Sequence, residues 1–135
     1  MSTPDSRVDR SVREALPAPI ERAVQAARDK KAADVVVLDL RALASFTDFF
    51  VICSGQNIRQ VQAIADAVEA GLRQLQVRPA HVEGFERAEW VLLDYFDFIV
   101  HVFSTARREF YSLERLWGAA ERVVLPEDAR SRGPQ

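Results

Sequence analysis

The sequence predicts an α/β domain built on a mixed five-stranded sheet flanked by helices. Two short apolar runs, Val35–Leu40 (VVVLDL) and Phe49–Ser54 (FFVICS), are rich in β-branched or aromatic residues and bounded by turn-type residues, as buried strands are. A stripe at helical spacing follows them: Ile58, Val61, Ile64, Ala65, Val68, Leu72 and Leu75. The runs succeed one another as helix, two strands, helix, three strands, helix, an order that suits a mixed sheet rather than a repeating parallel one.

Residues 1–18 mix Ser, Pro, Asp and Arg without periodicity and read as a disordered leader. Residues 126–135 (PEDARSRGPQ) have the same character, which leaves 19–125 as one domain. The first helix opens at Pro19, whose missing N–H falls where a helix start leaves it unpaired anyway. Ile20, Ala23, Val24 and Ala27 give it an apolar side, and Arg28, Lys30 and Lys31 lie at the end that favours cations.

After the two strands, Ser54-Gly55-Gln56-Asn57 breaks the chain and starts the central helix. Asn57 is the expected N-cap, with Gln60 placed to reach back as in a capping box, and Pro79 stops any continuation. Three strands are expected next, at Ala80–Glu83, Glu89–Tyr95 and Phe98–Phe103. The turn Asp94-Tyr95-Phe96-Asp97 closes the last two into an antiparallel hairpin. A final helix from Thr105 carries Phe110, Leu113, Trp117, Ala120 and Val124 on one side.

Composition narrows the function. Of 135 residues, 48% are hydrophobic and 28% charged, enough to bury a real core. The 18 Lys and Arg against 20 Asp and Glu leave a net charge of −2, the wrong sign for a general nucleic-acid binder. Cys53 is the single cysteine, so no internal disulfide forms. The leader holds no apolar run of the kind a signal peptide needs, and no apolar stretch nears the roughly 20 residues that cross a bilayer. A cytoplasmic protein without membrane contact is the expectation.

Catalytic signals are absent from the chain. Neither common glycine-rich phosphate cradle is present, and Cys53, His81 and His101 share no local metal-binding spacing. Cys53 lies inside an apolar strand, where it reads as a small buried hydrophobe. The Ser54-Gly55 turn into a capped helix resembles a triphosphate-binding turn. The pair of carboxylates that would hold Mg²⁺ beside it is missing, because no acid follows Gly55 until Asp66. No cofactor, metal site or catalytic residue is assigned.

The positive signal lies between Glu83 and His101. Glu83, Glu86, Glu89, Asp94 and Asp97 face a single Arg87, and Trp90, Tyr95 and Phe96 lie among them. Strand alternation puts Trp90, Leu92 and Asp94 on one face and Val91, Leu93 and Tyr95 on the other. If helices cover only one face, the other offers an apolar centre with an acidic rim to a basic partner. The competing reading is an amphipathic strand whose Trp closes the core while the acids are merely solvated. His101, in the apolar strand Ile99–Phe103, reads first as a half-buried histidine with a hydrogen-bond partner.

Several blocks in this order resemble one family. They are Ala33–Arg41 (ADVVVLDLR), Thr47–Gly55 (TDFFVICSG), Arg59–Ala65 (RQVQAIA), Glu83-Gly84, Glu89–Tyr95 (EWVLLDY), Asp97 with Ile99–Phe103 (IVHVF), and Arg108–Tyr111 (REFY) with Leu113–Trp117 (LERLW). Over about residues 20–124 the chain resembles the bacterial ribosome silencing factor, or Iojap-related, family. The resemblance implies a nucleotidyltransferase-like fold without the catalytic acids. It also implies binding to the large ribosomal subunit through the ribosomal protein numbered fourteen, so that the small subunit is sterically kept from joining and translation falls when nutrients are scarce. No sequence-specific contact with nucleic acid is implied. Trp90, Leu92, Asp94, Tyr95, Asp97 and His101 are the expected partner-binding residues. One position departs from the family, which commonly has Gly where this chain has Phe96; that changes the tip geometry or adds an aromatic contact. Rival readings are a large-subunit assembly or adaptor factor, a homodimer of the free protein through the same sheet face, and a residual nucleotidyltransferase.

Overall fold

Two helices form one layer of the domain because each has a narrow apolar side and small residues where they meet. The computed structural model describes residues 16–43, 46–111, 121–123 and 125. Helix α1 (Ala18–Asp29) starts after extended Pro17 and buries Ile20, Ala23, Val24, Ala26 and Ala27. The helix begins one residue before Pro19, and Leu16 is already in the core at 9% exposure. Helix α2 (Ile58–Gln74) packs along it, with Gly71 facing the Arg22 side chain.

The start of α2 is held as its sequence indicates. The Asn57 side chain accepts a hydrogen bond from the Gln60 N–H at 2.9 Å. Gln60 Oε1 accepts from the Gln56 N–H at 2.7 Å, one residue earlier than a standard capping box. Its Nε2 donates to the Lys30 and Lys31 carbonyls, so one glutamine ties the end of α1 to the start of α2. Val61, Ile64, Ala65, Val68 and Leu72 are buried. Ile58 and Leu75, at the two ends of the stripe, are 58% and 43% exposed.

The strands are β1 (Ala33–Asp39), β2 (Phe49–Gly55), β3 (His81–Glu83), β4 (Trp90–Asp94), β5 (Phe98–Ser104) and β6 (Glu121–Val123), with a short helix α3 (Thr105–Tyr111) after β5. The sheet order is β3-β4-β5-β2-β1-β6. β2 and β5 pair in parallel and the remaining neighbours antiparallel, so the sheet is mixed as expected. It has six strands, not five. Glu121–Val123, placed in the final helix by its spacing, instead pairs with Val37–Asp39 of β1. The open edge of β1 offers unpaired N–H and C=O groups, and satisfying them outweighs a weak helical periodicity. Of the expected final helix, α3 is the described part; Leu113, Trp117, Ala120 and Val124 lie outside the described residues, as do 1–15 and 126–135.

Both sheet faces are apolar. Towards α1 and α2 lie Val37, Val51, Cys53, Val91, Leu93, Phe98, Val100 and Val102, packed against the helix stripes. On the reverse face Val36, Leu38, Leu40, Phe50, Ile52 and Phe103 form a second cluster, against which Trp90 and Ile99 pack. Each fully buried aliphatic side chain contributes about 1.5–3 kcal/mol.

Two glycines are demanded by geometry. A Cβ on Gly55 would lie 2.9 Å from Val61 Cγ2, so this glycine lets β2 run up against the first turn of α2. Gly84, at φ +81, follows β3, and a Cβ there would drive into the Trp90 carbonyl oxygen. Gly84→Ala is therefore expected to cost at least about 2 kcal/mol, from left-handed strain plus the clash. Urea unfolding of the two proteins measures it, and a loss below about 0.5 kcal/mol would show that the turn relaxes freely.

Candidate interaction face

The hairpin register decides which side chains meet. Tyr95 N–H donates to the Phe98 carbonyl at 2.9 Å, closing the turn. Counting back from there, Asp94 pairs with Ile99, Leu92 with His101 and Trp90 with Phe103. Across the other edge of β4, Glu83 pairs with Leu92 and His81 with Asp94. All these residues share the sheet face opposite α1 and α2.

The loop before β4 is fixed at several points, which places Trp90. Gln62 of α2 donates from Nε2 to the Phe85 carbonyl at 2.9 Å, and Ala88 N–H donates to the Gly84 carbonyl at 2.9 Å. Ser104 N–H reaches the Glu89 carbonyl at 3.0 Å. Half-buried Trp90 then stacks on Phe103, with ring centroids 5.0 Å apart and planes at 27°.

His101 sits beneath this pair. It is 4% exposed, and its ring meets Phe50 edge-on at 4.5 Å. The Trp90 indole N–H donates to His101 Nδ1 at 3.1 Å. An imidazole that accepts at Nδ1 carries its proton on Nε2 and is neutral. Burial pushes its pKa down to about 3. The expected hydrogen-bond partner is present, but the ring is buried rather than half-buried, because Phe50, Trp90 and Phe103 pack around it. Nε2 has no hydrogen-bond partner, and the structure gives no physical account of it.

The six expected contact residues divide. Trp90, Leu92 and Asp94 share the face opposite α1 and α2, each part-exposed, and Asp97 is exposed at the hairpin tip. His101 lies on the same face as a buried support for Trp90, out of reach of a partner. Tyr95 lies on the other face: it is 6% exposed in the core under the helices and stacks on Phe98 at 4.9 Å. Burial raises its phenol to about 12. The cause is strand alternation, which turns 95 away from 90, 92 and 94, so the structure removes Tyr95 from the face.

The acids of this segment have close partners, of which Arg107 alone is distant in sequence. Glu89 lies 3.3 Å from Arg107 of α3 and 3.9 Å from Arg87. Glu83 Oε2 lies 2.8 Å from His81 Nε2. The Asp94 carboxylate accepts from the Phe96 N–H at 2.9 Å. These exposed contacts are each worth well under about 1 kcal/mol and orient the acids more than they stabilise the fold. The role of Arg107 was not legible from the sequence, since it depends on where α3 lands. The β4–β5 pairing was: a hairpin closed at Tyr95 and Phe98 sets Trp90 opposite Phe103 and Leu92 opposite His101 by counting, which leaves Trp90 and His101 as diagonal neighbours on one face.

Cys53 is buried, with its thiol pushed up to about 12, and behaves as a hydrophobe. Among the described residues, no three His, Cys, Asp or Glu side chains converge on a common point where a metal ion could sit. Among them, too, no helix is long and apolar enough to cross a membrane.

Comparison with known proteins gives this face its context. The family model described as ribosomal silencing factor during starvation matches residues 13–135. The ribosomal silencing factor RsfS of Halalkalibacterium halodurans is 42% identical over 106 residues, covering 78% of this chain and 91% of that protein. A crystal structure of a Chromobacterium violaceum protein superimposes with a TM-score of 0.72 at 37% identity, covering 74% of this chain and 83% of the other. A more distant relative is the mouse protein named mitochondrial assembly of ribosomal large subunit protein 1, 29% identical over 101 residues, covering 73% of this chain and 44% of that protein. The class is thus one of ribosome-associated regulators of translation. This chain belongs to the ribosomal silencing factor family.

The buried neutral His101 sets a pH dependence. Its folded pKa of about 3 lies below the unfolded value of 6.5, so its stabilising share is complete above pH 6.5 and is lost as pH falls towards 3. Between pH 7 and pH 5 the loss is expected to reach about 2 kcal/mol, since each pH unit below the unfolded pKa costs about 1.4 kcal/mol. Urea titrations at both pH values, on wild type and His101→Gln, read the difference. An equal pH loss in both proteins would assign the effect to other groups.

Proposed function

We propose that this chain represses translation in the cytoplasm by binding the large ribosomal subunit through its ribosomal protein fourteen and sterically blocking the small subunit. The observation that carries the reading is the sheet face opposite α1 and α2: part-exposed Trp90 and Leu92 form an apolar centre there, and Asp94, Asp97 and Glu83 form an acidic rim. A ribosomal protein is typically basic, so the rim complements it and speeds encounter, while the apolar centre supplies the desolvated anchor. The net charge of −2 disfavours bare RNA phosphates and favours a protein surface. The action is exclusion, with no reaction and no cofactor. Membership of the family is the second support.

A role in large-subunit assembly is the alternative reading, favoured by the name of the mouse relative. Both readings need the same docking step and differ in when it occurs.

Sucrose-gradient sedimentation with purified subunits tests the proposal. Wild-type protein is expected to travel with the large subunit and to lower the yield of joined ribosomes. A Trp90→Ala/Asp97→Lys variant is expected to lose at least about 100-fold in affinity, since a central aromatic and a reversed rim charge together cost about 3 kcal/mol or more. Wild-type protein left at the top of the gradient would sink the reading. Undiminished joining despite binding would favour assembly.

A further inference from the structure

The most exposed large apolar side chain described in this protein is Phe96, at 71%, and it stands at the tip of the β4–β5 hairpin. Its φ is +70, a region that a bulky L-residue rarely adopts and that glycine or asparagine enters easily. A strained aromatic displayed to water works against stability on both counts, and such an outlier is a reason to look for function.

The strain is held in place. The Phe96 N–H donates to the Asp94 carboxylate at 2.9 Å, and its carbonyl accepts from buried Thr47 Oγ1 at 2.9 Å. The next residue is stapled as well, with Asp48 N–H donating to the Asp97 carbonyl at 2.9 Å and Asp97 N–H to the Tyr95 carbonyl at 2.8 Å. Both polar groups of the Phe96 backbone are therefore occupied within the chain, and the ring is presented on a rigid tip. Phe46, 57% exposed, adjoins Thr47 at the same end of the sheet. Asp97 and Asp48 are exposed beside it. An exposed ring among carboxylates, carried on a backbone fixed before binding, has the form of an interface anchor whose backbone ordering cost is already met.

We propose that Phe96 is a partner-binding anchor, inserting into an apolar pocket of the same basic large-subunit protein that the Trp90 face engages. The inference rests on the ribosomal reading above and extends the contact from the sheet face to the hairpin tip. Asp94 joins the two parts, since it belongs to the face and also fixes the tip.

The test uses the full chain and purified large subunits, with binding titrated by co-sedimentation and each protein's melting temperature recorded. Phe96→Gly and Phe96→Asn remove the ring at a position both residues accept, so neither should melt below wild type, yet both should bind at least ten-fold more weakly. Phe96→Tyr keeps the aromatic body and should bind within two-fold of wild type. If Phe96→Gly and Phe96→Asn bind as wild type does while Trp90→Ala/Asp97→Lys does not, the anchor is refuted and the ribosomal reading stands. If the wild type itself fails to bind, both fall together.

Discussion

The parallel pairing of β2 with β5 is the constraint on which the rest of the structure depends. Phe49 aligns with Phe98 and Gly55 with Ser104, so the two strands run side by side over their whole length. Parallel neighbours cannot be joined by a tight turn and need a long crossover. Here the crossover contains α2, β3 and β4. Helix α2 leaves the end of β2 at Gly55 and crosses back over one face, and β4 returns on the far side of β5. With α1 laid beside α2, both helices occupy the same layer. The face that carries Trp90, Leu92 and Asp94 is what that choice leaves on the other side.

Burying β2 on both faces makes the reverse face more than a surface. Phe50, Ile52 and Phe103 are almost wholly inaccessible there, and Trp90 rests on them with its indole N–H engaged by His101. A tryptophan held by stacking and a hydrogen bond has few rotamers left to lose when a partner arrives. The histidine can do this only as a neutral acceptor, and desolvation keeps it so. One hydrogen bond thus occupies the buried imidazole's Nδ1 and also aims the aromatic ring beside it.

Charge is arranged with the same economy. Three of the five acids that mark the segment in the sequence have a local contact, Glu89 beside Arg107, Glu83 beside His81, and Asp94 over the Phe96 N–H. These acids are consequently more ordered than their count alone implies, and Glu89 has a cation beside it. Steering by such a rim is a matter of encounter rate, and affinity rests on the apolar centre.

By itself the sequence determined the elements that local chemistry dictates. The β-branched run of β1, the capped start of α2 and its apolar stripe, and the 94–97 hairpin turn all follow from spacing and capping within a few residues. It also determined the alternation that separates Trp90, Leu92 and Asp94 from Tyr95, although not which set would be covered. Only the tertiary structure decided that, because the answer depends on which face the helices occupy. The same holds for β6, where a three-residue segment became a strand because β1 had an edge to satisfy. It holds again for Arg107 on Glu89 and Thr47 on Phe96, contacts between residues far apart in the chain. Local free energies are written in neighbouring residues; edges, faces and long-range pairs exist only once the chain has closed on itself.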